Sequence, residues 1–200
     1  MVRHDRQSKA LTYHVDLPGG QARLRDLIIY VSARCADSVR FGMIKLNKII
    51  WRADFTAFAD RGVPVTGRYY QRLRLGPAPV EMPPVLREMQ QDQLIEISVT
   101  DFGVAPDGSP IREYRPVALV KPSLRWFSDD DIKYVDASIS HYWAMTGMET
   151  SDESHGVPWK SRENSDPMPY EAAHLLSDEL PPDVALRLEK LAREQGWQSE

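Results

Sequence analysis

The chain has 200 residues, 42% of them hydrophobic and 27% charged, with a formal net charge of −4 at pH 7. That length fits one domain, with or without an appendage, and the apolar fraction suffices for a core. The negative balance argues against a protein whose main task is coating nucleic acid, although a local basic patch stays open.

Charge is unevenly spread. Acidic residues gather late, at Asp129-Asp130-Asp131, from Glu149 to Glu153 and at Asp178-Glu179, while Lys and Arg are denser before residue 75. The single cysteine, Cys35, excludes an intrachain disulfide and reads as a small core residue among apolar neighbours. Met1-Val2-Arg3-His4-Asp5-Arg6 lacks an apolar signal core, and no stretch is long enough to span a bilayer. The expectation is a cytoplasmic protein with no membrane partner.

Residues 1–20 read as a polar extension with a short extended stretch, Leu11-Thr12-Tyr13-His14-Val15, closed by a turn at Leu17-Pro18-Gly19-Gly20. The first helix is predicted over Gln21–Arg40, on the helical spacing of Leu24, Leu27, Ile28, Val31 and Cys35. Phe41-Gly42 breaks it. The second helix spans Met43–Arg61, with Gly62 placed for a left-handed cap. Lys45, Lys48 and Arg52 fall at i, i+3 and i+7 of this helix and share one side; Ile44, Leu46, Ile49, Ile50, Ala53 and Phe55 form a wide apolar surface round the rest.

Arg68 to Leu75 interleaves basic and aromatic residues and reads as a short strand, followed by a rigid loop over Gly76–Pro79. A helix over 83–92 comes next. Then come a strand over 94–100, a hairpin loop at Asp107-Gly108 and a returning strand over 111–120 with Arg112, Glu113 and Arg115 on an exposed side. Ser128 before Asp129, Asp130 and Asp131 starts a helix running to about Met145, ended by Gly147. Residues 150–169 look irregular. A helical turn follows over 170–177, and a final helix reaches Gln195 with Val184, Leu188 and Leu191 as its apolar stripe. The fold class is α+β, mainly α-helical: a compact helical domain with a small antiparallel β-hairpin.

Three constellations carry possible chemistry. His141, His155 and His174, with Glu149, Asp152 and Glu153, offer metal ligands or acid–base groups, but their spacing matches no helical metal motif and no metal site is assigned. Ser151, Glu153 and His155 lie close in sequence, yet no Gly-x-Ser-x-Gly elbow accompanies them, so a His/acid-dependent hydrolase is only the third reading. Lys45, Lys48 and Arg52, with Arg68, Tyr69, Tyr70, Arg72 and Arg74, are either a solvated face or a contact surface for an acidic protein or, less so, nucleic acid. No phosphate loop, cofactor motif or catalytic residue is identified.

Four short motifs then occur in order. Lys45-Leu46-Asn47-Lys48-Ile49-Ile50-Trp51 resembles the KLQKLLY helix of the SocA-like Panacea domain, also seen in phage-associated GepA-like proteins. Gly62-Val63-Pro64-Val65-Thr66 resembles that family's G-x-P-[LV]-T turn. Leu75-Gly76-Pro77-Ala78-Pro79-Val80 resembles its YGPV corner, and Ser154-His155-Gly156-Val157-Pro158-Trp159 its late (S/T)H-x-x-P-W element. Asn47, Trp51, Leu75 and Ala78 depart from the pattern conservatively.

The resemblance covers about residues 22–178 and implies an antitoxin of a bacterial or phage toxin–antitoxin pair. Such a module binds a cognate toxin directly, or delivers it to a ClpXP-type protease. It implies a division into an extension (1–20), the Panacea-like domain (21–178) and a C-terminal helix (179–200). On this reading the family-motif residues are Lys45, Leu46, Lys48, Trp51, Gly76, Pro77, His155, Pro158 and Trp159. Lys48 and the Gly76-Pro77 corner shape the domain, and Arg68, Tyr69, Tyr70, Arg72 and Arg74, with the C-terminal helix, face the toxin. A DNA-binding regulator of its own operon, using the second helix or the hairpin, is the alternative; nucleic acid is otherwise not expected as a partner.

Overall fold

The computed structural model describes residues 11–104 and 107–175. The helix expected over the last twenty residues, and the first ten residues of the extension, lie outside the described residues. The elements in chain order are α1 (Gln21–Arg34), α2 (Met43–Arg61), β1 (Tyr70–Leu73), β2 (Gly76–Pro79), α3 (Met82–Gln91), β3 (Ile95–Val104), β4 (Pro110–Ala118), α4 (Asp129–Tyr142), α5 (Gly147–Glu153), α6 (Val157–Lys160), β5 (Pro167–Met168) and a 3-10 helix over Tyr170–Leu175. This is the α+β, mainly helical architecture that the sequence predicts. None of the described helices is long and apolar enough to cross a membrane.

Helix α2 is the axis of the domain. Gly62 ends it at φ +72°, the left-handed conformation that lets its N–H reach back to the Phe58 carbonyl. On one side Leu46, Ile49, Ile50, Ala53 and Ala57 pack with Leu24, Leu27, Ile28 and Val31 of α1, Val85 and Met89 of α3, and Val135, Ile139 and Tyr142 of α4. On the other, Trp51 and Phe55 join Tyr70, Met168 and Tyr170 in a second apolar cluster. Phe55 meets the Tyr70 ring edge-on, with centroids 5.2 Å apart.

The small sheets divide the labour. Strands β2, β1 and β5 form an antiparallel sheet in that order, with Tyr70 opposite Pro79 on one side and Met168 on the other. Gly76–Pro79 is therefore a paired strand and not the loop expected from its prolines. Strands β3 and β4 make the predicted hairpin, Ile95 opposite Ala118 at its root and Asp101 opposite Arg112 towards its tip. Of the extension, residues 11–17 lie along the sheet: Val15 N donates to Gly67 O, and Tyr170 N donates to Thr12 O at 2.7 Å.

Two boundaries differ from expectation, each for a visible reason. Helix α1 stops at Arg34 and not Arg40, because the Arg115 guanidinium of β4 takes the carbonyls of Cys35, Ala36 and Ser38. Arg115 thus turns inward, although its strand position suggested exposure. Gly147 opens a helix and does not merely end one, since Thr146 and Glu149 form a reciprocal capping box. With α6, this replaces part of the irregular stretch expected after residue 150.

Buried polar groups tie the layers together. Asp54 is fully enclosed in α2. It accepts from Thr66 N at 2.5 Å, from the Thr66 hydroxyl, from Tyr70 OH at 2.7 Å and from Tyr170 OH at 3.3 Å. Asp131 closes the capping box with Ser128 and pairs with both Arg23 and Arg61, joining α4 to α1 and to the end of α2. Asp54→Ala leaves several buried donors without an acceptor, so it should lower the unfolding free energy by about 3–5 kcal/mol in urea denaturation. Tyr70→Phe, which deletes one donor, should cost about 1–2 kcal/mol. Equal costs for the two would contradict the shared network.

Candidate functional site

Lysines 45 and 48 are not on a solvated face. Each is 2% exposed, because its side of α2 is covered by neighbouring elements. Lys45 Nζ donates to Trp143 O beyond the end of α4 at 3.3 Å. Burial lowers its pKa, a tendency opposed mainly by neighbouring Cys35. Lys48 Nζ donates to Pro77 O in β2 at 2.8 Å. Removal from water pushes the Lys48 pKa down to about 7. Arg52, the third cation of the expected stripe, is half-buried and pairs with Glu153.

The Lys48–Pro77 contact depends on Gly76. That residue sits at φ +94°, and a Cβ there would lie 2.1 Å from Ser154 Oγ and 2.5 Å from Lys48 Cε. Ser154 is buried beneath it, its hydroxyl donating to Ser151 O at 2.6 Å. The Lys48, Gly76-Pro77 and Ser154 motifs, far apart in sequence, therefore meet at one point.

The rest of the late motif continues outward from that point. Trp159 Nε1 donates to Leu73 O of β1 at 2.7 Å. His155 stacks on Trp159 with centroids 3.8 Å apart and rings 18° from parallel. The Arg72 guanidinium lies 3.9 Å from the same ring. Burial first, and then the positive charge of Lys48, hold the His155 pKa below its ordinary value. Pro158 is buried, and Trp159 half-buried.

The basic-aromatic segment splits in two. Tyr70 is enclosed, and Arg68 is buried with its Nε on Thr66 O at 3.3 Å, so neither presents itself to a partner. Tyr69 is exposed and stacks on His14; Arg74 is exposed; Arg72 is half-buried on Trp159. Leu46 and Trp51 are interior as well. Asp54 was missed as a site residue, although a lone carboxylate between Ala53 and Phe55, in a helix apolar on most sides, is the signal for it.

The other expected groups fall into two separate clusters. Ser151 is fully buried, and its hydroxyl is 3.5 Å from His155 Nε2. His141 binds Glu153 at 2.9 Å, and Tyr142 OH donates to the same carboxylate at 2.7 Å. Among the described residues no group of three His, Cys, Asp or Glu side chains is placed to hold a metal ion.

Two measurements test the Lys48 environment. The ordinary lysine pKa is 10.5, so between about pH 7 and 10.5 the unfolded chain binds more protons at residue 48 than the folded one. The cost of burying the charge is fully present below the folded pKa and fades as pH rises. Relative to Lys48→Met, the wild type should gain about 2–3 kcal/mol between pH 7 and 9.5 in urea denaturation, and parallel pH curves would refute the lowered pKa. Gly76→Ala should cost more than about 2 kcal/mol, through both its backbone angle and the collision with Ser154 and Lys48.

Comparison with known proteins agrees with this geometry. No curated protein and no solved structure matches the chain. One family model does, described as antitoxin SocA-like, Panacea domain, over residues 46–160. That span is more than half of the 200 residues and takes in Lys48, the Gly76-Pro77 corner and the stacked His155 and Trp159. The residues that meet beneath β2 are thus those of a chain that belongs to the SocA-like antitoxin family, with its Panacea domain.

Proposed function

We propose that this protein is the antitoxin of a toxin–antitoxin pair and holds its cognate toxin inactive by direct binding. The family match over residues 46–160 carries this reading. The side chains support it in kind. The motif residues are spent on internal attachments, Lys48 to Pro77 and Trp159 to Leu73, and not on an open reactive site. The serine nearest to a histidine is sealed from solvent, and the acid nearest to another histidine is shared among His141, Tyr142 and Arg52.

A DNA-reading role gains nothing from the same geometry. Helix α2, one of the two elements available for it, is buried over most of its length and is not free to enter a groove. The hairpin, the other, pairs Arg112 with Asp101 and turns Arg115 onto α1.

Co-expression with the gene adjoining that of this chain should restore growth stopped by the neighbour alone. A harmless neighbour, or toxicity unchanged by co-expression, would remove the antitoxin reading. Repeating the experiment in a host lacking ClpXP separates the modes: direct neutralisation persists there, whereas proteolytic delivery is lost.

A further inference from the structure

Two depressions adjoin on one side of the molecule and share Met43, Ile44 and Leu75 in their walls. The larger, about 490 Å³, opens between the start of α2, the β3–β4 hairpin and the start of α5. Its exposed lining is apolar: Phe102, Ile111, Tyr114 and Met148 each keep 46% or more of their surface in contact with solvent.

The smaller depression, about 420 Å³, continues past Leu75 to Asn47, Lys48, Arg74 and Asn164. Its charge is one-sided. Arg23, Arg25, Arg34, Arg52, Arg61 and Arg112 all have a carboxylate within ion-pair distance. Among the described residues Arg74 has none, as is also true of Arg40, Arg72, Arg87 and Arg125, but of these Arg74 is the one in a wall of the cleft; the Lys48 amine beside it is bonded to a backbone carbonyl. Asn47 Oδ1, in the same wall, is buried with no hydrogen-bond partner. The one acid in either wall, Glu113, sits against Gly42 and acts on Lys45. An exposed arginine without a counter-charge is open to a carboxylate supplied from outside.

We propose that this continuous cleft is where the toxin docks, and that it accepts an amphipathic segment whose apolar side chains lie under the hairpin and whose carboxylate pairs with Arg74 above Lys48. The inference rests on the antitoxin reading and adds to it the surface and the partner chemistry. The apolar wall supplies affinity, while Arg74 fixes register and prefers an acid to a base at that end. A basic residue at the same place is disfavoured by Arg74.

The test uses the full chain and the purified product of the adjoining gene as probe. Arg74→Glu and Phe102→Asp should each weaken binding on the order of tenfold or more, while Arg87→Glu, exposed on α3 outside the cleft, stays within about twofold. Both cleft positions are exposed, so thermal unfolding should not move; if either variant melts early, Met148→Asp carries the same comparison. Raising salt from ~50 to ~300 mM should weaken the wild type more than Arg74→Glu. Wild-type binding that survives Arg74→Glu, Phe102→Asp and Met148→Asp undiminished overturns the cleft and leaves the antitoxin reading intact. No binding and no rescue by the wild type overturns both. Cleft variants that change the sedimentation of the chain alone would assign the cleft to a second copy of this chain, and overturn the proposal.

Discussion

The interaction on which the domain turns is the Lys48 amine on the Pro77 carbonyl. Helix α2 is packed against α1, α4, α5, the 3-10 helix and β2 along most of its length, so a charged side chain on a covered side, unlike Arg52, Asp60 or Arg61, has no route to water. It must reach a polar atom on whatever packs against it. Lys48 finds β2, Lys45 finds the chain just after α4, and Asp54 finds Thr66 and two tyrosines from opposite ends of the sequence. Each bond fixes one neighbouring element against the helix. A methionine or leucine at residue 48 would be cheaper to bury, but it would not single out one carbonyl of one strand. The close approach also explains Gly76, whose missing side chain is the space that the amine and Ser154 occupy.

From that attachment the rest of the site follows outward. With β2 held on α2, β1 lies beside it, and its Leu73 carbonyl becomes the acceptor for the Trp159 indole. The indole then offers a plane on which His155 and Arg72 stack. Turning β1 into β2 places Arg74 and Leu75 at the rim, beside the open side of α2 and the hairpin. Interior polar bonds thus decide which side chains are left outside, and among those Arg74 is a cation that the described chain does not neutralise.

Much of the fold was legible because its signals are local. Gly62 as a left-handed cap, Ser128 before three aspartates, and Asp107-Gly108 between two apolar runs each specify a feature within a few residues. The family resemblance was legible for the same reason, through four short runs in order. What could not be read was which way a charged residue faces. The i, i+3, i+7 spacing puts Lys45, Lys48 and Arg52 on one side of α2, but a helix with apolar residues on most of its circumference gives no hint that this side is covered as well. The end of α1 is equally invisible locally, since the guanidinium that takes its last carbonyls comes from Arg115 on β4. Strand β2 was hidden by its prolines, which lack the donors expected of a ladder, although its edge position tolerates them. Thr146-Gly147-Met148-Glu149 was readable as a capping box and was overlooked because Gly147 looked like a stop.

The distribution of the motif residues bears on how such a protein acquires a partner. Lys48, Gly76, Pro77, Ser154 and Pro158 are inside, and their roles are attachment and close approach. Phe102, Ile111, Tyr114 and Met148 are outside, on a hairpin and a helix start that none of the four motifs includes. A substitution of the first kind disturbs the packing round α2 and costs stability. One of the second kind alters the shape and polarity of the cleft while the bonds beneath it are untouched. Separating the two sets lets one scaffold carry different recognition surfaces, because the residues that fold it and the residues that would touch a toxin are different residues. Arg74 lies between the two sets: two positions before the glycine that admits Lys48, it is exposed on the rim of the surface that a partner would touch.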